Sequence, residues 1–403
     1  MTKSRSIRIA AFSALLFMAA SCVFPYEVQL ARDGELPLVF EGDINIGGMT
    51  TITVSHVLPL TGLAEDPPVD ITGYIQSSDQ SRAYGQQINN HHYSSSTMYS
   101  APRNIVEFDT STLPEGQKYL LHLDIFNQRT QQVTTFESDW LEATPTPVLD
   151  DLSFSCHPDE GELWIGLSMH CNGAHYFRWA FTEQWQYHSD INATVTYFPE
   201  TNTIVNESPQ TYYCWKTVRD ENINVRTTSN QIEDRFEDLQ FHTVPLTSRQ
   251  IQMIYRIKLR LFSLDEPAYK YWQNMQQISQ GQGSILSPTP SEMTSNVHCV
   301  TDPDLQVIGY LSAGSCVEGE LYYYNEDYQY YIQPNKNYAI TEIPNGYMDR
   351  LSAYMSGRLP FSAIPDLFNI NETASYLWAP SSCVDCRLMG GSTTPPEDWA
   401  PYK

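Results

Sequence analysis

Positive charge is the scarcest feature of this chain: 23 Lys and Arg stand against 47 Asp and Glu, a formal net charge of −24. A polyphosphate partner needs a basic face and none dominates here, so nucleic acid is not expected as a partner. Charged residues reach only 17%, while aromatics make up 12% and hydrophobic residues 41%. That balance excludes an acidic disordered tail, which combines dense charge with few aromatics. Long apolar runs are missing too, since no stretch approaches the ~20 residues that a membrane-spanning helix needs. The familiar enzyme signatures are absent: no Gly-x-Ser-x-Gly elbow, no His-Glu-x-x-His, no phosphate loop and no dinucleotide fingerprint. The expectation is a non-enzyme with no cofactor and no metal. A carboxylate pair for glycoside hydrolysis, assembled in space from the many acids, stays open as an alternative.

What is present begins with Lys3, Arg5 and Arg8, followed by an apolar run from Ile9 to Ala20. A basic flank, a short apolar run and small residues before a break make an export signal. The break reads Ala19-Ala20-Ser21-Cys22. This predicts a lipoprotein signal peptide over residues 1–21, with Cys22 taking lipid and becoming the new N-terminus. The plainer alternative is an ordinary cleavable signal with an incidental cysteine. More than one acyl chain is needed for stable anchoring, and a lipidated, acylated N-terminal cysteine supplies it. Removing residues 1–21 takes three basic groups and no acids, so 20 basic and 47 acidic residues remain, or −27. Such acidity reads as solubility outside the cell rather than as a ligand site.

The length suggests two or three domains. From Leu38 to about Trp140, short alternating strands are separated by turn residues such as Gly47-Gly48, Pro67-Pro68 and Pro114-Glu115-Gly116. Tyr119, Leu121, Leu123 and Ile125 fall on one strand face. Pro145 and Pro147 cannot continue a central strand, which places a boundary there. The fold is expected to be mainly β: an N-terminal immunoglobulin-like β-sandwich over residues 22–145, then a larger β-rich, sandwich-like domain over 146–403 with one or two short helices. In that second part Pro158–Gly161 reads as a hairpin turn before a strand from Leu163 to Met169. Arg249–Leu264 reads as the longest regular element, with Arg256, Lys258 and Arg260 on its outward face. That face is read as a solvated surface pairing with nearby acids, or else as a docking face for an anionic partner. Asp265 caps a helix with Pro267 in its first turn and Ala268, Tyr271, Trp272 and Met275 on one stripe. The last forty residues read as mostly irregular.

Seven cysteines follow Cys22, an odd number in an exported chain. The hairpin turn sets Cys156 opposite Leu163 and leaves Cys171 about eight residues away, ~25 Å along the strand. Neither a zinc cage nor a Cys156–Cys171 disulfide survives that distance. Cys383 and Cys386 have redox spacing without a strand-before-helix setting, and read as a tail staple, internal or to another cysteine. Six tyrosines fall within ten residues, 322–331, around Asn325-Glu326-Asp327. Read as a hairpin, the stretch presents one face to the core and the other to solvent, and Tyr322, Tyr324, Tyr328 and Tyr330 are the candidates for contacting sugar, peptide or protein.

Several stretches in order resemble the domain of unknown function 4249 family, lipoproteins of Bacteroidota outer membranes. They are LPLVFEGDI after the signal, YFRWAFTEQW at 176–185, YYCWK at 212–216, PLTSRQIQMIYRIKLRLFSLDEPAYKYW, NVHCVTDPDLQVIGYLSA and the closing CVDCRLMGGSTTPPEDW. The resemblance implies a lipid-anchored, two-part β-rich protein of the outer membrane with Cys22 at the attachment position. It implies no catalytic residue. Members are often encoded beside TonB-dependent transporters, so it also implies a non-enzymatic accessory role in nutrient capture with such a transporter as partner. Val23-Phe24-Pro25-Tyr26 follows the cysteine, with an acid only at Glu27, where Bacteroidota lipoproteins sent to the cell surface commonly carry acids, which leaves the cell surface and the periplasmic face both open. A secreted-side hydrolase and a structural or adhesive surface protein are the competing expectations.

Overall fold

The computed structural model describes residues 37–56, 68–88, 104–280, 295–334, 338–369 and 372–400. The signal peptide and Cys22 lie outside the described residues, as does the Gly281–Ser284 segment after the helix. Strand accounts for 52% against 12% helix, so the chain is mainly β, built from several sheets that include a curled half-barrel.

Residues 38–144 supply β1 (Leu38–Glu41), β2 (Asp43–Asn45), β3 (Met49–His56), β4 (Val69–Ser77), β5 (Arg82–Ile88), β6 (Asn104–Asp109), β7 (Lys118–Asn127), β8 (Gln132–Ser138) and β9 (Leu141–Thr144). On β7 the period of two holds: Tyr119, Leu121, Leu123 and Ile125 are all buried. They pack with Phe40, Ile52, Ile75, Val106, Phe108 and Phe136 in one core.

Eleven residues after Leu141 the chain has entered a second core. Around it run β10 (Val148–His157), β11 (Glu162–His170), β12 (Tyr176–His188), β15 (Tyr213–Arg219), β16 (Asn224–Thr227), β17 (Arg235–Pro245) and β18 (Ile254–Leu264), while β13 (Thr196–Phe198) and β14 (Thr203–Val205) form a separate hairpin. Cys156 does pair with Leu163 across the hairpin, and Cys156 and Cys171 are separate thiols. Expected strand residues 249–253 are instead a 3₁₀ turn, Arg249–Ile251, capped by Ser248, and β18 begins at Ile254. The Ser248 hydroxyl accepts the Gln250 amide, which local geometry a strand could not offer. The helix Glu266–Gln280 begins as expected: Asp265 Oδ1 accepts the Ala268 amide at 2.8 Å. Ala268 and Tyr271 are buried.

The chain then returns to the first sheet through β19 (Val297–Cys299), β20 (Val307–Ile308) and β21 (Ser312–Gly314). β19 pairs with β8, β20 runs parallel to β1, and β21 lies between β2 and β9. Val297, Cys299, Leu311 and Ala313 fill the first core. After this β22 (Val317–Tyr324) completes a sheet with β18, β12, β15 and β16, which faces the β10–β11–β17 sheet across the second core.

The C-terminal stretch is more ordered than its prolines suggest. β23 (Thr341–Pro344), the helix Tyr347–Met355, β24 (Arg358–Pro365) and β25 (Thr373–Pro380) form a small sheet and its cover. Trp378 is fully buried and Tyr376 nearly so, against Val195, Tyr197 and Ala353. Burying aromatics of this size outweighs weak local propensity.

Candidate ligand cleft

The tyrosines separate into two groups. Tyr322 and Tyr324 stack at 6.0 Å on the outward face of β22, with Arg256 5.2 Å from the Tyr322 ring and Trp399 at 6.5 Å. Tyr328 and Tyr330 are not on a second hairpin strand. Asn325–Tyr328 is a helical turn, and both rings fold back onto buried Tyr323, at 5.7 and 6.1 Å. Asn325 Oδ1 enforces this by accepting from the Tyr323 hydroxyl at 2.9 Å and the Tyr331 amide at 3.1 Å.

The basic face of β18 is paired with acids. Arg256 bonds Glu320 and Asp398, Lys258 bonds Asp398, and Arg260 lies 3.2 Å from Glu318. Hydrogen bonding from Lys258 is the main reason the Asp398 carboxyl sits below its ordinary range. A C-terminal strap therefore crosses this face. Of the two expected forms of the tail staple, internal or to another cysteine, the second is found: Cys386 is bonded to Cys214 on β15, 172 residues away in sequence, with Cα atoms 5.8 Å apart. The Trp215 amide and carbonyl pair with those of Ser392, both at 2.8 Å, and hold Cys214 against the strap.

A cleft of about 420 Å³ opens where the two sheets of the second body part, between β16 and β17. Its volume falls within the ~300–1,000 Å³ of small-molecule sites. β12 is long enough to pair with β15 along one half and with β16 along the other. Asn224 lies opposite Trp179 and Arg226 opposite Phe177, and opposed residues share a face. Asn224 and Arg226 therefore project toward the other sheet. β17 supplies the facing wall through Leu239, Gln240 and Phe241, and Gln276 comes from the helix.

A bulge makes that wall. Gln240 pairs with Gly166 and His242 with Ile165, leaving Phe241 as the extra residue. Phe241 turns inward, 6.3 Å from Trp179 and 5.5 Å from Phe181. Asp238, just before, sits in the left-handed region at φ 46° and folds over Gly166, where any Cβ would collide with its carboxylate. His242 then reaches Glu183, whose Oε1 lies 2.9 Å from each of His242 Nε2, Gln250 Nε2 and the Tyr255 hydroxyl. Burial first, and the Glu183 charge second, push the Tyr255 phenol well above its usual pKa. This cluster ties β12, β17 and β18 together beside the cleft.

The cleft's polar groups are four side-chain amides, one guanidinium and one indole N–H. Asp220 takes the Asn222 amide at 2.7 Å and the Asn224 amide at 2.6 Å. Arg226 donates only to its neighbour's carbonyl, Val225 O at 3.3 Å, and no carboxylate pairs with it among the described residues. Trp179 is 4% exposed, and its indole N–H is buried without a partner. None of the lining residues is Asp or Glu. Sequence reasoning missed this site because its residues come from four separate segments. Trp179 reads as core by alternation, and Arg226 is an isolated cation. Among the described residues no group of three or more His, Cys, Asp or Glu gathers as a metal site, and no helix is long and apolar enough to cross a membrane.

No curated protein matches the chain. Residues 24–320 match the family described as domain of unknown function DUF4249, covering the first body and the second as far as β22. That is 297 of 403 residues, nearly three quarters of the sequence, and the chain therefore belongs to the DUF4249 family.

Proposed function

We propose that this is a lipid-anchored outer-membrane protein, non-enzymatic, that captures a nutrient ligand and works with a TonB-dependent transporter. The anchor rests on the signal and Cys22, and the transporter on the family's genomic company. The single observation that carries a binding role is the cleft between β16 and β17, with an uncompensated guanidinium and an unpartnered indole N–H in its walls. Its lack of carboxylates gives no support there to the hydrolase alternative. We also propose two domains, the first related to immunoglobulin-like sandwiches, left by the chain near residue 145 and completed by its return over residues 297–314.

Affinity purification of the tagged protein from membranes, with mass spectrometry of what accompanies it, tests the partnership. A transporter is expected, and its consistent absence sinks this reading. Cys22→Ala is expected to move the protein to the soluble fraction, while unchanged membrane retention overturns the anchor.

A further inference from the structure

We propose that the β16–β17 cleft binds the carboxylate end of an extended oligopeptide, with Arg226 as the carboxylate's partner. This rests on the binding role proposed above and names its ligand.

Three observations point to that chemistry. First, the cleft holds a guanidinium that no carboxylate pairs with among the described residues. A guanidinium carries five N–H groups in a fork that fits a carboxylate, and Arg226 commits one of them to Val225 O. In a chain with twice as many acids as bases, a cation in the cleft wall that no carboxylate pairs with among the described residues is open to an external anion. Second, the walls are rich in amides: Asn222, Asn224, Gln240 and Gln276. The Gln240 side chain has no hydrogen-bond partner among the described residues, and the Asn222 and Asn224 amides give their N–H groups to Asp220, leaving carbonyl oxygens for a peptide's N–H groups. Third, the cleft lies between two strand edges. Among the described residues β17 ends the β10–β11–β17 sheet, and β16 pairs with β12 alone. An open edge is where an extended peptide adds as a further strand, its backbone groups matching the unpaired ones of the edge.

Trp179 adds a further donor: its indole N–H, like those of Trp215, Trp272 and Trp378, is buried without a partner among the described residues. Phe241 packs edge-on against the same indole, so a ligand that shifts Phe241 gives this donor access to a peptide carbonyl.

The test is equilibrium dialysis of the detergent-solubilised full protein against an equimolar tetrapeptide pool made without Asp or Glu. Three probes are compared: the pool with free C-terminal carboxylates, the same pool amidated, and succinate as a free dicarboxylate. The acid pool is expected to bind at least ~10-fold more tightly than the amidated pool or succinate. Arg226→Gln, at an exposed side chain, is expected to erase the difference between acid and amide, and Arg226→Lys to retain part of it. Equal retention of acid and amidated pools overturns the inference, as does an acid preference that Arg226→Gln leaves intact. Succinate bound as tightly as the acid pool overturns the peptide half, because the site then reads a carboxylate alone. Failure of all three probes while a transporter still co-purifies overturns this ligand assignment and leaves the transporter partnership standing. Loss of the transporter with peptide binding intact does the reverse.

Discussion

Replacing Asp43 tests the joint between the two bodies. Asp43, on β2 of the first sheet, accepts a hydrogen bond from Arg178, on β12 of the second. The guanidinium lies 4.4 Å from the Trp272 ring and 5.1 Å from Phe262. Burial, followed by repulsion from Arg260, pulls its pKa from 12.5 down to about 10. Below about pH 10 the arginine is charged both folded and unfolded, so the cost of burying it is present in full at neutral pH. At 1.36 kcal/mol per pH unit that cost is on the order of 3 kcal/mol. Removing the anion leaves a buried charge unpaired, which costs ~3–5 kcal/mol. Asp43→Ala should therefore lower the urea midpoint by more than ~1 M at a slope of ~3 kcal/mol/M, followed by tryptophan fluorescence. The double variant Asp43→Leu/Arg178→Met removes both charges and should recover most of the loss. Asp43 Oδ1, Arg178 Nε, Trp272 Nε1 and Ser312 Oγ are all buried without partners, and β21 places Ser312 beside Asp43. The joint is thus imperfectly satisfied, which favours the apolar replacement. A midpoint change under ~0.2 M for Asp43→Ala, or a double variant no better than the single, would refute this reasoning.

Cys386→Ser should cost ~2–4 kcal/mol by freeing a long loop, read as a lower thermal midpoint, and make residues 387–400 sensitive to protease. An unchanged midpoint would mean that the ion pairs and the Trp215–Ser392 backbone pairing hold the strap without the disulfide. Asp398→Asn should flatten the acid limb of stability. The carboxyl's pKa is depressed when folded, so its contribution is present above the ordinary value of 3.8 and lost as pH falls through the folded value. Half-exposed partners keep this small, and calorimetry from pH 2 to 6 measures it. A fragment of residues 22–145 lacks β19, β20 and β21, and with them Val297, Leu311 and Ala313 of its core. It should show no cooperative unfolding by circular dichroism, whereas a fragment extended through β22 should.

Local pattern was enough for the elements that obey local rules. The alternation of Tyr119 to Ile125, the register that puts Cys156 opposite Leu163, and the Asp265 cap were all legible, because each is fixed by neighbours within a few residues. Where a distant partner decided the outcome, local pattern misled. Tyr328 and Tyr330 turned back onto Tyr323 because Asn325 could bond both Tyr323 and Tyr331. The proline-rich tail acquired a sheet because Trp378 and Tyr376 found a core to fill.

The amino-acid sequence by itself determined the mainly β class, the acidic charge balance and the family, since these depend on composition, periodicity and ordered motifs. Only the tertiary structure decided that Cys386 bonds Cys214, that residues 297–314 complete the first sheet, and that Trp179, Arg226 and Phe241 meet around one cleft. Those facts pair residues dozens to hundreds of positions apart, and nothing in a one-dimensional pattern says which strand edge will be left open or which cation will find no acid.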